Sequence, residues 1–113
     1  MDNVKNDAYY LERLKNDMAF IIRHMKDTTR EELGRNELLL DSMLFRLIQI
    51  SENAKKLSDA YTSAHSNVPW LAVSGLRNRI VHDYGSVDLS IVYATLKDDI
   101  PELMTLMFDN EKQ

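Results

Sequence analysis

Eight consecutive residues, Arg77-Asn78-Arg79-Ile80-Val81-His82-Asp83-Tyr84, hold the side chains of this chain best suited to chemistry. A histidine poised near neutrality gives and takes protons. An arginine beside it clasps a phosphate through two parallel N–H bonds and stabilises charge developing there. Together they suit phosphodiester cleavage in RNA. His82 would draw the proton from a ribose 2′-OH while Arg77 held the scissile phosphate. That chemistry calls for no metal and no cofactor. No paired histidines or clustered carboxylates show the spacing of a metal site. The absence of cysteine removes thiolate sites, cysteine nucleophiles and disulfides together.

Such a site makes demands on the elements that carry it. Arg77 and His82 are five residues apart, which on a straight helix separates them by about 140°. Asn78 and His82, four apart, share a face. Either the helix distorts as it ends, or a second copy lays its own helix alongside. Both fit a site built across a two-fold axis, which duplicates every group beside it. At a helix C-terminus His82 meets partial negative charge that favours imidazolium, and Arg77 or Arg79 nearby pushes the other way. A plainer account of the same residues stands beside this one: a histidine at a helix end, two solvated arginines and a tyrosine closing the last turn.

The rest of the chain reads as helices. Tyr10, Leu11, Leu14, Met18, Ile21, Ile22 and Met25 make one apolar stripe on a helix over about 7–26, with Asn6 or Asp7 as its cap. Thr28 with Glu31 and Thr29 with Glu32 form two overlapping capping boxes, and Gly34 marks a short turn or helical stub. A long helix is expected over 36–63. Its apolar arc, from Leu39 to Tyr61, is wide enough to face the core on one side and a partner helix on another. Pro69 opens a third helix that should run to Tyr84 and stop at Gly85. Ser86 or Asp88 caps a fourth to about Asp98, and Pro101 opens a short last one. No segment alternates like a strand. The expected architecture is all-α: one domain over 1–113, an antiparallel bundle of four main helices plus a short C-terminal helix, dimerising.

Composition bounds the function. At 113 residues, 44% hydrophobic and 28% charged, the chain has the make-up of one globular domain. Its net charge of −4 argues against an unspecific nucleic-acid coat, so any RNA contact must be a local patch. Residues 1–7 have no apolar signal-peptide core, and no apolar run approaches the roughly 20 residues that span a bilayer. A soluble, cytoplasmic protein is expected, with no membrane partner.

Other residues compete for roles. Glu52 either orients Arg77 or His82 or is a surface carboxylate. Arg46, Lys55 and Lys56 could form a basic track, but a solvated face explains them as well. His24 and His65 read as structural or surface residues, the six methionines as filling for the core or a dimer, and Trp70 as an anchor for its helix.

The run from Arg77 to Tyr84 resembles the signature of the HEPN superfamily, R-N-x3-H, in the extended form R-x4-H-x-Y of the HepT toxins. Ile50-Ser51-Glu52-Asn53-Ala54 resembles the family's I-G-E-A segment, with Ser51 departing from its usual glycine. Val68-Pro69-Trp70 and Gly75-Leu76-Arg77-Asn78 resemble its I-P-W…G-M-R-N run, and Val87-Asp88 and Asp99-Ile100-Pro101-Glu102-Leu103 also fit. The resemblance implies an all-α homodimer whose two motifs meet at the interface. It implies a metal-independent endoribonuclease, the toxin of a pair whose antitoxin is a small nucleotidyltransferase of the MNT type. It further implies that Arg77 and His82 are catalytic, that Asn78 orients them, and that Tyr84 receives AMP from ATP, silencing the toxin. A second class of function uses the same pocket without catalysis: a helical dimer that binds a nucleotidyltransferase or a nucleotide. The acid balance leans towards this, whereas the intact Arg77, His82 and Tyr84 lean towards the nuclease.

Overall fold

The computed structural model describes residues 6–82 and 86–109, with the backbone alone for His82. The protein is all-α apart from one two-residue ladder. Helix α1 (Asp7–Met25) begins where the Asn6 side chain accepts the Tyr9 N–H at 3.1 Å. Leu14, Met18, Ile21 and Met25 are buried along it, and Met43, Leu47, Ile50 and Ala54 repeat the same spacing on α3 (Glu37–Lys55). Each such leucine, isoleucine or methionine, fully buried, stabilises the fold by roughly 1.5–3 kcal/mol. The two helices run antiparallel, because Asp7 at the start of α1 meets Ser58 just past the end of α3.

Between them lies α2 (Arg30–Arg35). Of the two possible capping boxes the second forms: Thr29 accepts the Glu32 N–H and Glu32 accepts the Thr29 N–H. Gly34 is there for space. A Cβ at that position would lie 2.8 Å from the Leu89 side chain.

The helix expected over 36–63 is two. After α3 the chain turns and α4 (Asp59–Ala64) restarts behind the Ser58 cap. The Asp7 carboxylate takes the Ser58 N–H at 2.8 Å and its hydroxyl at 2.7 Å, so that N–H is lost to a continuous helix. The hydroxyl, then the backbone N–H, hold the Asp7 carboxyl below its ordinary pKa. A carboxyl depressed in the folded state adds stability above its unfolded pKa, and that stability is lost as pH falls through the folded value. Asp7→Asn should therefore lower Tm at neutral pH, with the gap to wild type closing in acid below the carboxylate range. A gap that persists unchanged in acid would contradict this.

The third expected helix is also broken. It forms α5 (Trp70–Ser74) and α6 (Leu76–Ile80), joined at Gly75, and does not reach Tyr84. Val81 leaves the helix with extended angles, and β1 (Val81–His82) pairs antiparallel with β2 (Ser86–Val87). This corrects the expectation of no strand. The β-branched pair Ile80-Val81 and the returning Val87 favour extended pairing over another helical turn. Gly85, the expected stop, lies outside the described residues, as do residues 1–5 of the N-terminal stretch.

Asp88 caps α7 (Leu89–Ala94), which passes through a π-helical turn (Thr95–Asp99) into α8 (Ile100–Phe108). The expected fourth and last helices are thus one rod. Pro101 has no N–H, and its ring would crowd the Lys97 carbonyl in a regular helix. The wider turn, in which the Ile100 N–H reaches back to the Thr95 carbonyl, lets the helix continue. Lys97 closes the C-terminus of α1, donating to the Met25 and Lys26 carbonyls at 2.9 and 3.2 Å, while Lys15 lies over the Phe108 ring. The last rod therefore runs antiparallel to α1. Among the described residues, no helix is long and apolar enough to cross a membrane.

Candidate active site

The motif sits where α6 ends and β1 begins. Leu76 and Ile80 bury one edge of α6 in the core. Arg77 and Arg79, about 200° apart around the helix, flank that edge on opposite sides. Asn78 points away from the core and is exposed. The junction is set by Val81, whose N–H bonds to the Arg77 carbonyl as the helix stops. His82 follows in β1, opposite Ser86. Of the two alternatives the five-residue spacing left open, a distorted helix end is present, since the backbone turns extended at Val81. The His82 side chain and all of Tyr84 lie outside what the structure describes.

The two arginines differ in what holds them. Arg79 donates to Thr95 Oγ1 and Asp99 Oδ2, both at 2.8 Å. Arg77 is exposed and, among the described residues, makes no hydrogen bond or ion pair. A guanidinium without a protein partner keeps its five donors for a ligand, and its planar fork matches a phosphate edge.

The other cations of the expected basic track are committed. Arg46 bonds Asp17 at 2.8 Å and stacks 3.8 Å from the Phe20 ring centroid, so it braces α3 on α1. Lys55 pairs with Glu52 at 3.3 Å, and Lys56 lies against the Tyr10 ring. Glu52 is half-buried, with Lys55 as its partner rather than Arg77. Trp70 anchors its helix, its indole N–H shared between the Thr62 and His65 carbonyls at 3.1 and 3.0 Å. His65 stacks on Tyr61 and contacts the Tyr61 carbonyl, while His24 packs near Phe20.

Ser51 replaces the expected glycine without loosening α3 against α5. It is fully buried, and its hydroxyl donates to the Ser74 carbonyl at 2.6 Å, at the break before Gly75. On the outward face of α3, Leu38 is 84% exposed and Phe45 57%. They are two helical turns apart and share one side, and Glu52 continues the row. Neither residue belongs to the apolar arc expected for that helix, whose Leu39, Leu40 and Leu44 pack partly buried against the core.

Thr95 is absent from the sequence signals, and Asp99, part of a segment that resembles the family, carries no role there; their bond to Arg79 is new. The signal available was a polar pair, four apart, interrupting an apolar face formed by Val92, Leu96, Ile100 and Leu103. An apolar groove of about 240 Å³ runs between α5–α6 and α8, with the Arg79–Asp99 pair among its lining. It lies on the side of α6 away from Arg77. Among the described residues, no three His, Asp or Glu side chains gather as a metal cradle.

A family model described as Ribonuclease HepT-like matches residues 14–107. The chain is 30% identical over 100 residues to a candidate RNase of Caldanaerobacter subterraneus subsp. tengcongensis, covering 88% of this chain and 89% of that protein. It is 30% identical over 91 residues to a protein of Thermococcus cleftensis named, by inference, ribonuclease HepT, covering 77% and 83% respectively. A longer Methanocaldococcus jannaschii protein, named as a gamma-glutamylcyclotransferase joined to a candidate RNase, is 26% identical over 99 residues. The match spans 88% of this chain and 45% of that one. No solved structure matches the chain.

Proposed function

This chain belongs to the HepT-like ribonuclease family, and on that premise we propose that it is a metal-independent endoribonuclease acting through Arg77 and His82. The observation that carries the reading is the division of labour among the cations. Arg79, Arg46 and Lys55 are tied to carboxylates, whereas Arg77 stands exposed and, among the described residues, uncommitted beside the junction that bears His82.

In the proposed reaction, neutral His82 takes the proton of a ribose 2′-OH. The 2′-oxygen attacks the adjacent phosphorus, and the bond from phosphorus to the 5′-oxygen breaks. Arg77 neutralises charge on the non-bridging oxygens as the fifth bond forms. The departing oxygen is protonated by the imidazolium or by water, leaving a 2′,3′-cyclic phosphate and a 5′-hydroxyl. Asn78 and Glu52 are proposed as supporting groups. The test is purified protein against single-stranded RNA in excess chelator: cleavage is expected, and RNA left intact would sink the proposal.

The assembly proposed is a homodimer through the outward stripe of α3, bringing two motifs together. The biological setting proposed is the toxin of a toxin–antitoxin pair acting in the cytoplasm, with an MNT-type nucleotidyltransferase as antitoxin. That enzyme would direct the Tyr84 hydroxyl onto the α-phosphorus of ATP, releasing pyrophosphate. The added AMP brings bulk and negative charge two residues from His82, obstructing an anion site by occupancy and repulsion. Intact mass after incubation with the partner and ATP should rise by AMP units. A rise retained in Tyr84→Phe would remove Tyr84 from this role.

A further inference from the structure

Arg79 belongs to the same short motif as Arg77, yet its geometry points elsewhere. Its guanidinium bridges Thr95 Oγ1 and Asp99 Oδ2, the first and last residues of the π-helical turn. Thr95 is fully buried, and its hydroxyl donates onward to the Ile91 carbonyl at 2.8 Å, so the acceptor that Arg79 meets is held in place. The same turn is fixed from the other side by Lys97 on the end of α1 and, one turn earlier, by Tyr93 donating to the Thr28 carbonyl. π-Turns within helices are often found at functional sites. Here the turn is a rigid post, and Arg79 is the side chain that ties the motif to it.

We infer that Arg79 is a positioning residue: its clamp on Thr95 and Asp99 fixes the α6–β1 junction and so sets the separation of Arg77 from His82. The inference rests on the ribonuclease reading for its catalytic consequence. Arg79 lies two residues from Arg77 and three from His82, on the one turn of α6 that precedes the change to extended backbone. Without the clamp, α6 is held at this end mainly by Leu76 and Ile80, which resist its lifting but not its rolling. A roll shifts Arg77 relative to the β1 backbone that carries His82. A misplacement of about 1 Å at a reacting centre costs on the order of 100-fold in rate.

The test compares Arg79→Ala, Arg79→Lys, Asp99→Asn and the Arg79→Ala/Asp99→Asn double variant in RNA cleavage and in hydrogen exchange over residues 76–82. Arg79→Ala and Asp99→Asn should each lower kcat about 10- to 100-fold with KM nearly unchanged. The double variant should be no worse than the weaker single one, and Arg79→Lys, which keeps one bond of the clamp, should recover part of the loss. Exchange at the Val81 amide should quicken in both single variants, while Tm hardly moves because a half-exposed ion pair adds little stability. If Arg79 instead bound RNA phosphate, Arg79→Ala would raise KM with kcat held, and Asp99→Asn would tighten binding; either result overturns the clamp. Asp99→Asn is nearly isosteric and keeps the question open should the alanine variant misfold. Wild-type protein that leaves RNA intact would end the nuclease reading by itself. The clamp would then be judged on exchange alone, and unaltered exchange would overturn it.

Discussion

Arg77→Ala is expected to lower kcat for RNA cleavage by about 100- to 1,000-fold, the range for removing one group that stabilises developing transition-state charge. His82→Ala, which removes the proposed general base, should lower it by about 100- to 10,000-fold. Neither change should unfold the protein. Arg77 is exposed and, among the described residues, holds nothing else in place, so its removal should alter stability by no more than about 0.5 kcal/mol. Arg77→Lys should fall between wild type and alanine, because a lysine keeps the charge and loses the two-pronged grip. Groups that act as a unit are not additive, so the Arg77→Ala/His82→Ala protein should be little worse than the poorer single variant. The measurement is steady-state cleavage of a short labelled RNA, with circular dichroism to verify folding. Cleavage that survives both substitutions would detach the motif from the reaction.

The second large effect concerns α3. Phe45→Glu, alone or with Leu38→Lys, should break the proposed dimer into monomers and reduce the proposed cleavage to near background. Both side chains stand well out of the domain, 57% and 84% exposed, so charged replacements leave the core untouched. Contiguous exposed apolar patches mark association surfaces, and in the proposed dimer Leu38 and Phe45 would be joined by their copies across the two-fold axis. If the site is completed by a second copy, activity should fall together with the sedimenting mass and return partly at high protein concentration. A Phe45→Glu protein that sediments and cleaves like wild type would disconnect the α3 stripe from the activity.

Much of this was legible in the residues. The stripes of α1 and α3 repeat at helical spacing without glycine or proline; the structure buries their central residues, such as Leu14, Met18, Met43 and Leu47, and packs others, such as Tyr10, Leu11 and Leu40, partly buried against them. The capping box at Thr29 and Glu32, the Asn6 cap and the anchoring of Trp70 are short-range signals, decided by neighbours three to eight residues away, and they read correctly. The errors lie where long-range contacts override local pattern. The break before Ser58 depends on Asp7, fifty-one residues earlier. Pro101 does stand in the first turn of the last helix, but the π-turn that joins this helix to the preceding one has no local signal.

At the site, the types of residue were visible and their allegiance was not. Arg77 and Arg79 are the same side chain two positions apart. What distinguishes them is a Thr95–Asp99 pair on another helix, brought beside Arg79 only by folding. Arg46 fits a basic track or a solvated face in the sequence, and in the fold it is neither, because Asp17 and Phe20 on α1 hold it. The oxygen of Asp17 not bonded to Arg46 is buried and has no hydrogen-bond partner among the described residues. Such a half-satisfied bridge adds little net stability, although removing one partner would cost about 3–5 kcal/mol.

The most direct measurement is the chemical nature of the ends made when wild-type protein cuts a defined RNA in chelator, beside the same RNA with a single 2′-deoxy sugar at the cut site. Base attack by the neighbouring 2′-oxygen predicts a 2′,3′-cyclic phosphate and a 5′-hydroxyl, and no cut at the deoxy position. A 3′-hydroxyl product, or cleavage at the deoxy position with undiminished rate, would contradict it.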